Sequence, residues 1–407
     1  MTFVDIEEVS KEKNSLVRSC RIKINGGTII TPSRAVSVTK SKIEELKVSS
    51  TLINNQFRPF GEVFVRVPLD FLSKIIDDDY EGQKFSSMLA TRLSQLKDAG
   101  LVPYLILSLV DNEDNLYNKM PPPQILDLLF NFIWGTPNNS IIVPPLIGVL
   151  NEDKEYIKYI TALEKRQKDR IDKKPLPMMA IIPPVYRLIA PELLERYWKI
   201  GCRIISFDLG NKKYSAFGYV IEKLHSELNV LSKRDKEPFI LHALNSKLKT
   251  GRGDTSRIND LLGTGFGFDS YAPNHGGRPK WIPPPAPPTE SNHLFDRKTY
   301  GFFSLSDVIS NKTIDQKDVL NTYAFKNVEL DSIVDQKPET IKRICSAYNL
   351  EKTIGEIRTF PELINNEELI KYFSKKERIQ DDLKLMKNIA DRGIISKQQK
   401  NLDKWFV

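Results

Sequence analysis

Eight short runs of β-branched and aliphatic residues, set apart by stretches of helical length, constrain this chain more than any other feature. They are Thr28–Val38, Val63–Pro68, Val102–Val110, Ile141–Leu150, Met178–Pro183, Cys202–Phe207, Phe239–Leu244 and Phe266–Tyr271. Amphipathic patterns at Lys84–Ala99, Pro123–Trp134, Glu155–Lys168, Ala190–Ile200 and Ala216–Leu231 lie between them. Near-continuous apolar strands alternating with such helices imply a parallel sheet whose outer face the helices cover. Eight units within about 250 residues match the size of a closed (β/α)8 barrel. The expected fold is therefore α/β, a TIM-like barrel with an appended α-rich segment. An open doubly wound sheet is the alternative, because Pro144–Pro145 and Pro183–Pro184 cannot donate ladder hydrogen bonds and must sit at strand ends or bulges.

Beyond the eighth run, Arg278–Pro288 (RPKWIPPPAPP) excludes regular helix and favours a polyproline-like loop leaving the barrel. Residues from Thr299 onward are polar, with helical patterns at Lys337–Tyr348, Glu367–Lys375 and Arg378–Ala390. The expected division is 1–298 for an N-terminal β-ribbon and barrel, and 299–407 for a mainly helical C-terminal segment. Among 407 residues, 60 Lys and Arg face 52 Asp and Glu, a net charge of +8 that favours a polyanionic partner. Three cysteines (Cys20, Cys202, Cys345) build neither a disulfide framework nor a single-chain zinc motif. The N-terminus lacks a secretory pattern and no run is long and apolar enough to span a bilayer, so a cytoplasmic protein with reduced thiols is expected.

In a β/α barrel, ligand-binding groups gather where the C-terminal strand ends and their loops converge. Polar residues expected there are Arg66, Asp70, Asp111, Asn151, Asp153, Asp208, His242, Asn245, Asp269 and Ser270. Aspartates predominate, which suits paired acid/base and nucleophile work or a divalent metal; any single one also suits a helix cap. No G-x-S-x-G elbow occurs, and Cys202 reads as a small buried hydrophobe. His242, within FILHAL, reads equally as a core or a catalytic histidine. Gly263–Gly267 (GTGFG) precedes a strand, which disfavours a dinucleotide fingerprint. Asn274–Arg278 and Gly251–Arg257 are flexible basic segments suited to phosphate or to solvent, and the C-terminal lysines read as a solvated or phosphate-tracking face.

Several segments, in order, resemble the tRNA-guanine transglycosylases. Arg21–Pro32 (RIKINGGTIITP) is similar to that family's opening β-ribbon, and Leu241–His242 resembles its HL(F/M)G strand. Phe268–Asp269–Ser270, with Tyr271 and Pro273, looks like the FD(S/C) motif that carries the family's covalent nucleophile. Lys298–Phe302 (KTYGF) falls where archaeal-type members return to a β-hairpin, and Tyr348–Leu350 with Glu356–Ile357 resembles their HNL…EI helix. Tyr323, Phe325, Val328 and Tyr348 stand at the positions of the family's four zinc ligands, which implies a metal-free version of that subdomain held by apolar packing. The DSGG motif and the glycine-glycine base-recognition strand are absent.

The resemblance implies exchange of guanine for a 7-deazaguanine base in tRNA or DNA, without a cofactor. Asp269 would be the nucleophile, and Asp111 or Asp208 would move protons on the leaving base. His242, Ser270 and Arg278 would contact substrate; Arg252, Arg257 and the C-terminal lysines would hold phosphates of an unstacked strand. The partners expected are thus a nucleic acid and a free 7-deazaguanine, no membrane, and a homo- or hetero-oligomeric neighbour. The alternative is a catalytically degenerate paralogue that binds nucleic acid or an active subunit; a third reading is a metal-dependent barrel hydrolase or lyase.

Overall fold

A computed structural model describes residues 4–24, 27–37, 58–111, 115–150, 152–171, 176–184, 190–251, 255–275, 288–310, 313–326 and 328–402. The fold is mixed α/β. An antiparallel ribbon comes first: β1 (Asp5–Lys11), β2 (Arg18–Ile24) and β3 (Gly27–Ile30). Two two-residue strands follow, β4 (Ser33–Arg34) and β5 (Val36–Ser37), then β6 (Phe60–Pro68) and β7 (Val102–Val110). Further along lie β8 (Met179–Ile182), β9 (Ile204–Asp208), β10 (Ile240–Ser246), the small pair β11 (Lys249–Thr250) and β12 (Arg257–Ile258), and β13 (Ser270–Pro273). One parallel sheet has the order β4-β13-β10-β9-β8, and a second has the order β5-β6-β7. Parallel bridges Leu105–Ile142, Ser108–Leu146 and Ile142–Met178 tie the segment 141–146 to β7 on one side and to the start of β8 on the other.

Helices α1 (Leu69–Asp77), α2 (Asp79–Asp98), α3 (Pro123–Gly135), α4 (Asp153–Ile171), α5 (Ala190–Lys199) and α6 (Gly218–Asp235) fall between the strands. The period-two alternation of the strands divides their side chains between two cores. Phe60 and Phe64 of β6, Tyr104 and Ile106 of β7, Ile204 of β9, and Ile240 and Leu244 of β10 belong to one apolar cluster, so the two sheets share that inward face. Cys20, Ile22 and Ile29 of the ribbon join the same cluster and close its lower end. The intervening positions Val63, Val67, Leu105, Leu107, Phe207 and Leu241 instead pack outward with helix residues such as Leu89, Leu129 and Leu194.

Three of the expected runs take a different form. Thr28–Val38 is divided between the ribbon (β3) and the sheets (β4, β5). The run at 141–150 makes only isolated bridges, since Pro144 and Pro145 have no N–H to continue a ladder. The last run starts later than Phe266, because Leu262–Gly265 forms a helical turn, α7, and Gly267 leaves it at φ +84°. Only from Ser270 is the chain extended.

After α7 come α8 (Pro288–Ser291), the hairpin β14 (His293–Phe295) and β15 (Phe302–Ser304), α9 (Leu305–Ile309), α10 (Gln316–Leu320), α11 (Pro338–Ile357), α12 (Phe360–Asn365), α13 (Leu369–Ser374) and α14 (Gln380–Leu402). Leu350, Ile357, Phe373, Leu383, Met386 and Ile389 join the outer core of the strand-and-helix layers, so the C-terminal helices are packed continuously with the rest. A smaller third cluster contains Phe325, Tyr348, Leu294, Ile341 and Cys345, with Val328 at its margin and Phe325 edge-on to Tyr348 at 5.7 Å. Tyr323 is exposed. Cys20, Cys202 and Cys345 are all buried and reduced. Among the described residues no helix is long and apolar enough to cross a membrane.

Candidate functional site

A charged column stands on the inward face of the strands. On β6, Glu62 and Arg66 alternate with Phe60 and Phe64, four positions that period-two geometry places on one side. Glu62 is fully buried and accepts a hydrogen bond from the Tyr104 hydroxyl at 2.8 Å. Its other oxygen contacts Nε2 of His275, just beyond β13. The His275 ring stacks on Phe64 at 4.1 Å, and its carbonyl accepts from Arg66 Nη2 at 2.9 Å. Burial pushes the Glu62 carboxyl up, but the His275 charge and the hydrogen bonds from His275 and Tyr104 outweigh it, so the carboxyl lies below its ordinary value.

His242 continues the column through β10. Its Nε2 lies 3.3 Å from the Tyr104 hydroxyl and its Nδ1 lies 2.7 Å from Ser270 Oγ. Because Tyr104 spends its proton on Glu62, the network assigns the His242 proton to Nε2 and leaves Nδ1 to accept from Ser270. Burial, opposed by Glu62, lowers the His242 pKa to about 4. Asp208 ends β9, 3 % exposed, with Oδ1 accepting from Asn245 Nδ2 at 2.8 Å and from the Gly210 amide at 2.9 Å. Asn245, at φ +52°, also accepts the His275 amide at 3.3 Å, which links Asp208 to the Glu62–His275 pair. Burial raises the Asp208 pKa despite those two hydrogen bonds. Beside Asp208 lies a small cleft of about 30 Å³ walled by Pro144, Pro145, Tyr156, Tyr159 and Tyr197.

Asp208, Asn245, His275 and Arg66 are at or beyond the middle of their strands, toward the C-terminal ends. Asp269 is not with them. It precedes β13, at the N-terminal end of the strands, 1 % exposed. Arg18 of the ribbon grips it through Nε at 2.9 Å and Nη2 at 2.8 Å, and the Leu241 amide donates to Oδ2 at 2.7 Å. Arg18 also donates to the Phe239 carbonyl and lies 4.3 Å above the Phe239 ring. The expectation that Asp269 reaches the C-terminal mouth is corrected on this geometry. The helical turn at 262–265 delays the strand, which moves residue 269 from its far end to its near end.

Of the other expected site residues, His242 and Ser270 are joined by a hydrogen bond inside the strand layer. Asp111 follows β7 at the C-terminal end but closes a turn, its Oδ1 accepting from the Asn115 amide at 2.9 Å. Asp70 is exposed and accepts its neighbour's amide in the first turn of α1. Arg257 pairs with Asp382 at 2.8 Å. Arg278, Arg252, Asn151 and nearly all of the proline-rich stretch lie outside the described residues, as does the Asp153 side chain. Glu62, Tyr104 and His275 were not among the candidates drawn from sequence. The signal for Glu62 was its i, i+4 spacing from Arg66 in GEVFVRV, one strand face bearing two charges among apolar neighbours. Among the described residues no group of three or more His, Cys, Asp or Glu side chains is placed to hold a metal ion.

Compared with known proteins, the chain matches no family model and no curated protein sequence.

Proposed function

We propose that the eight parallel segments form a closed (β/α)8 barrel and that the protein is a base-exchanging glycosyl transferase of the transglycosylase type. In this reading Asp208 is the acid/base group, and Asp269, held by Arg18 at the other end of the strands, is not the nucleophile. The pairing of β4 with β13 and of the adjoining β5 with β6 supports closure on one side, and the bridges through Ile142 and Leu146 support it on the other. One observation carries the catalytic reading. Two buried carboxylates linked through Asn245 and His275 are driven in opposite directions, Asp208 toward its protonated form and Glu62 toward its ionised form. Carboxyls whose environments separate their pKa values are suited to different roles in glycosidic chemistry.

Asp208 would give its proton to the departing guanine as the glycosidic bond breaks. The incoming 7-deazaguanine would return a proton to the Asp208 carboxylate as the new carbon–nitrogen bond forms. Glu62, fully buried with its oxygens engaged by Tyr104 and His275, would fix the His275–Asn245 link that positions Asp208. Tyr156, Tyr159 and Tyr197 beside Asp208 would flank a planar base, and the small cleft between them would have to open to admit it. The net charge of +8 favours a tRNA or DNA strand as the nucleotide source. The test is incorporation of labelled guanine into bulk tRNA and duplex DNA. The expected result is exchange by the wild type and a loss of at least about a hundredfold in Asp208→Asn; equal rates would remove Asp208 from the chemistry.

A second reading, the catalytically degenerate paralogue, is favoured by the capture of Asp269 by Arg18. Its signature is salt-dependent RNA binding with no exchange by the wild type.

A further inference from the structure

Away from the strand ends, the C-terminal segment forms a second, open and polar cleft of about 340 Å³. Four cations, Arg297, Lys298, Lys352 and Lys376, line it with two carboxylates, Asp296 and Asp318. Its walls follow from local sequence. The β14–β15 turn supplies Asp296, Arg297 and Lys298, while α11 presents Tyr348, Lys352 and Glu356 at four-residue spacing on one face. Residues just after α13 supply Lys376, whose ammonium rests 4.0 Å from the Tyr372 ring and donates to the Arg297 carbonyl at 2.7 Å.

The acidic side of the cleft is largely committed. Asp296 holds the turn, accepting from the Lys298 amide at 3.1 Å and from the Thr299 amide and hydroxyl at 2.9 and 2.6 Å. Glu356, fully buried at the base, receives Arg297 Nε and the hydroxyls of Tyr300 and Tyr372, with Lys376 3.9 Å away. Lys352 donates to the Asp318 carbonyl at 3.1 Å and lies 5.6 Å from the Tyr348 ring, and the exposed Lys298 ammonium has no ion-pair partner among the described residues. Burial lowers the pKa of both Lys352 and Lys376; Asp318 at the first and Glu356 at the second oppose it, and the Arg297 charge lowers each further.

We propose that this cleft is a phosphate-binding site, with Arg297, Lys298 and Lys352 converging on the oxygens of a phosphomonoester or of a strand phosphate. A phosphoryl group, with several acceptor oxygens on one centre, matches three cations lining one cleft better than a single carboxylate does. The site is separate from the proposed chemistry at Asp208 and does not depend on it.

Calorimetric titration of the full chain with inorganic pyrophosphate at low salt tests this. Saturable binding is expected, weakened about tenfold in Lys298→Gln and in Lys352→Gln, at an unchanged thermal midpoint. Asp208→Asn binds as the wild type does, which separates this site from the catalytic reading. Displacement of a bound single-stranded oligonucleotide by pyrophosphate would support the site and assign it to strand phosphates. Pyrophosphate binding that leaves the oligonucleotide in place would support the site and assign it to free phosphate compounds. Absence of saturable pyrophosphate binding, or variants that bind as tightly as the wild type, would overturn the proposal.

Discussion

Asp269 and Asp208 carry the same side chain and meet opposite surroundings. Asp269 receives a bidentate guanidinium and a backbone amide, so it is a charge whose stability depends on its partner. Arg18→Ala leaves that carboxylate buried and unpaired, and chemical denaturation is expected to show a loss of about 3–5 kcal/mol. A loss below about 1 kcal/mol would mean that the pair is not a structural anchor. His242 gives a separate pH signature. Its folded pKa of about 4 lies below the ordinary 6.5. Between those values the unfolded chain binds a proton that the folded chain refuses, so stability falls as pH falls from 6.5 toward 4, by on the order of 3 kcal/mol. His242→Gln is expected to flatten that part of the stability–pH curve; an unchanged slope there would place the titration elsewhere. Which aspartate lies at which end of the strands was not legible in the sequence, because both sit among apolar runs. Their roles depend on the position of a strand start and on an arginine 251 residues away.

At the scale of elements, the alternating strands and helices were legible because period-two and helical patterns are local properties of the chain. The misplaced elements are those where a non-local contact decides. Gly267 illustrates this: at φ +84° it ends the turn at 262–265, and a Cβ there would lie 2.4 Å from His225 Nε2. The sequence GTGFG contains the glycines but not the histidine of α6 that confines them. Gly267→Ala is expected to cost roughly 1–3 kcal/mol through combined backbone strain and overpacking. Urea denaturation would measure it, and a neutral variant would show that the start of β13 does not depend on this glycine. The candidate site was partly legible in the same sense. Asp208 and His242 fell on recognisable strands, whereas Glu62 lay just outside the run as drawn and His275 lay in a segment that looked like flexible loop.

For the whole molecule, the parallel strands give the chain two ends with different chemistry. The ribbon seals the N-terminal end with Cys20, Ile22, Ile29 and the Arg18–Asp269 pair. The C-terminal end gathers Arg66, Asp208, Asn245 and His275. The expected boundary at 298/299 does not interrupt the packing, since Leu383, Met386 and Ile389 of α14 share a core with Ile221 and Leu228 of α6. If chemistry belongs to the C-terminal end, kcat/KM for guanine exchange in Asp208→Asn and Asp269→Asn, compared side by side below the melting temperature of both, separates the two aspartates. A loss of at least about a hundredfold is expected for Asp208→Asn and less than about tenfold for the folded Asp269→Asn. The reverse pattern would contradict that placement.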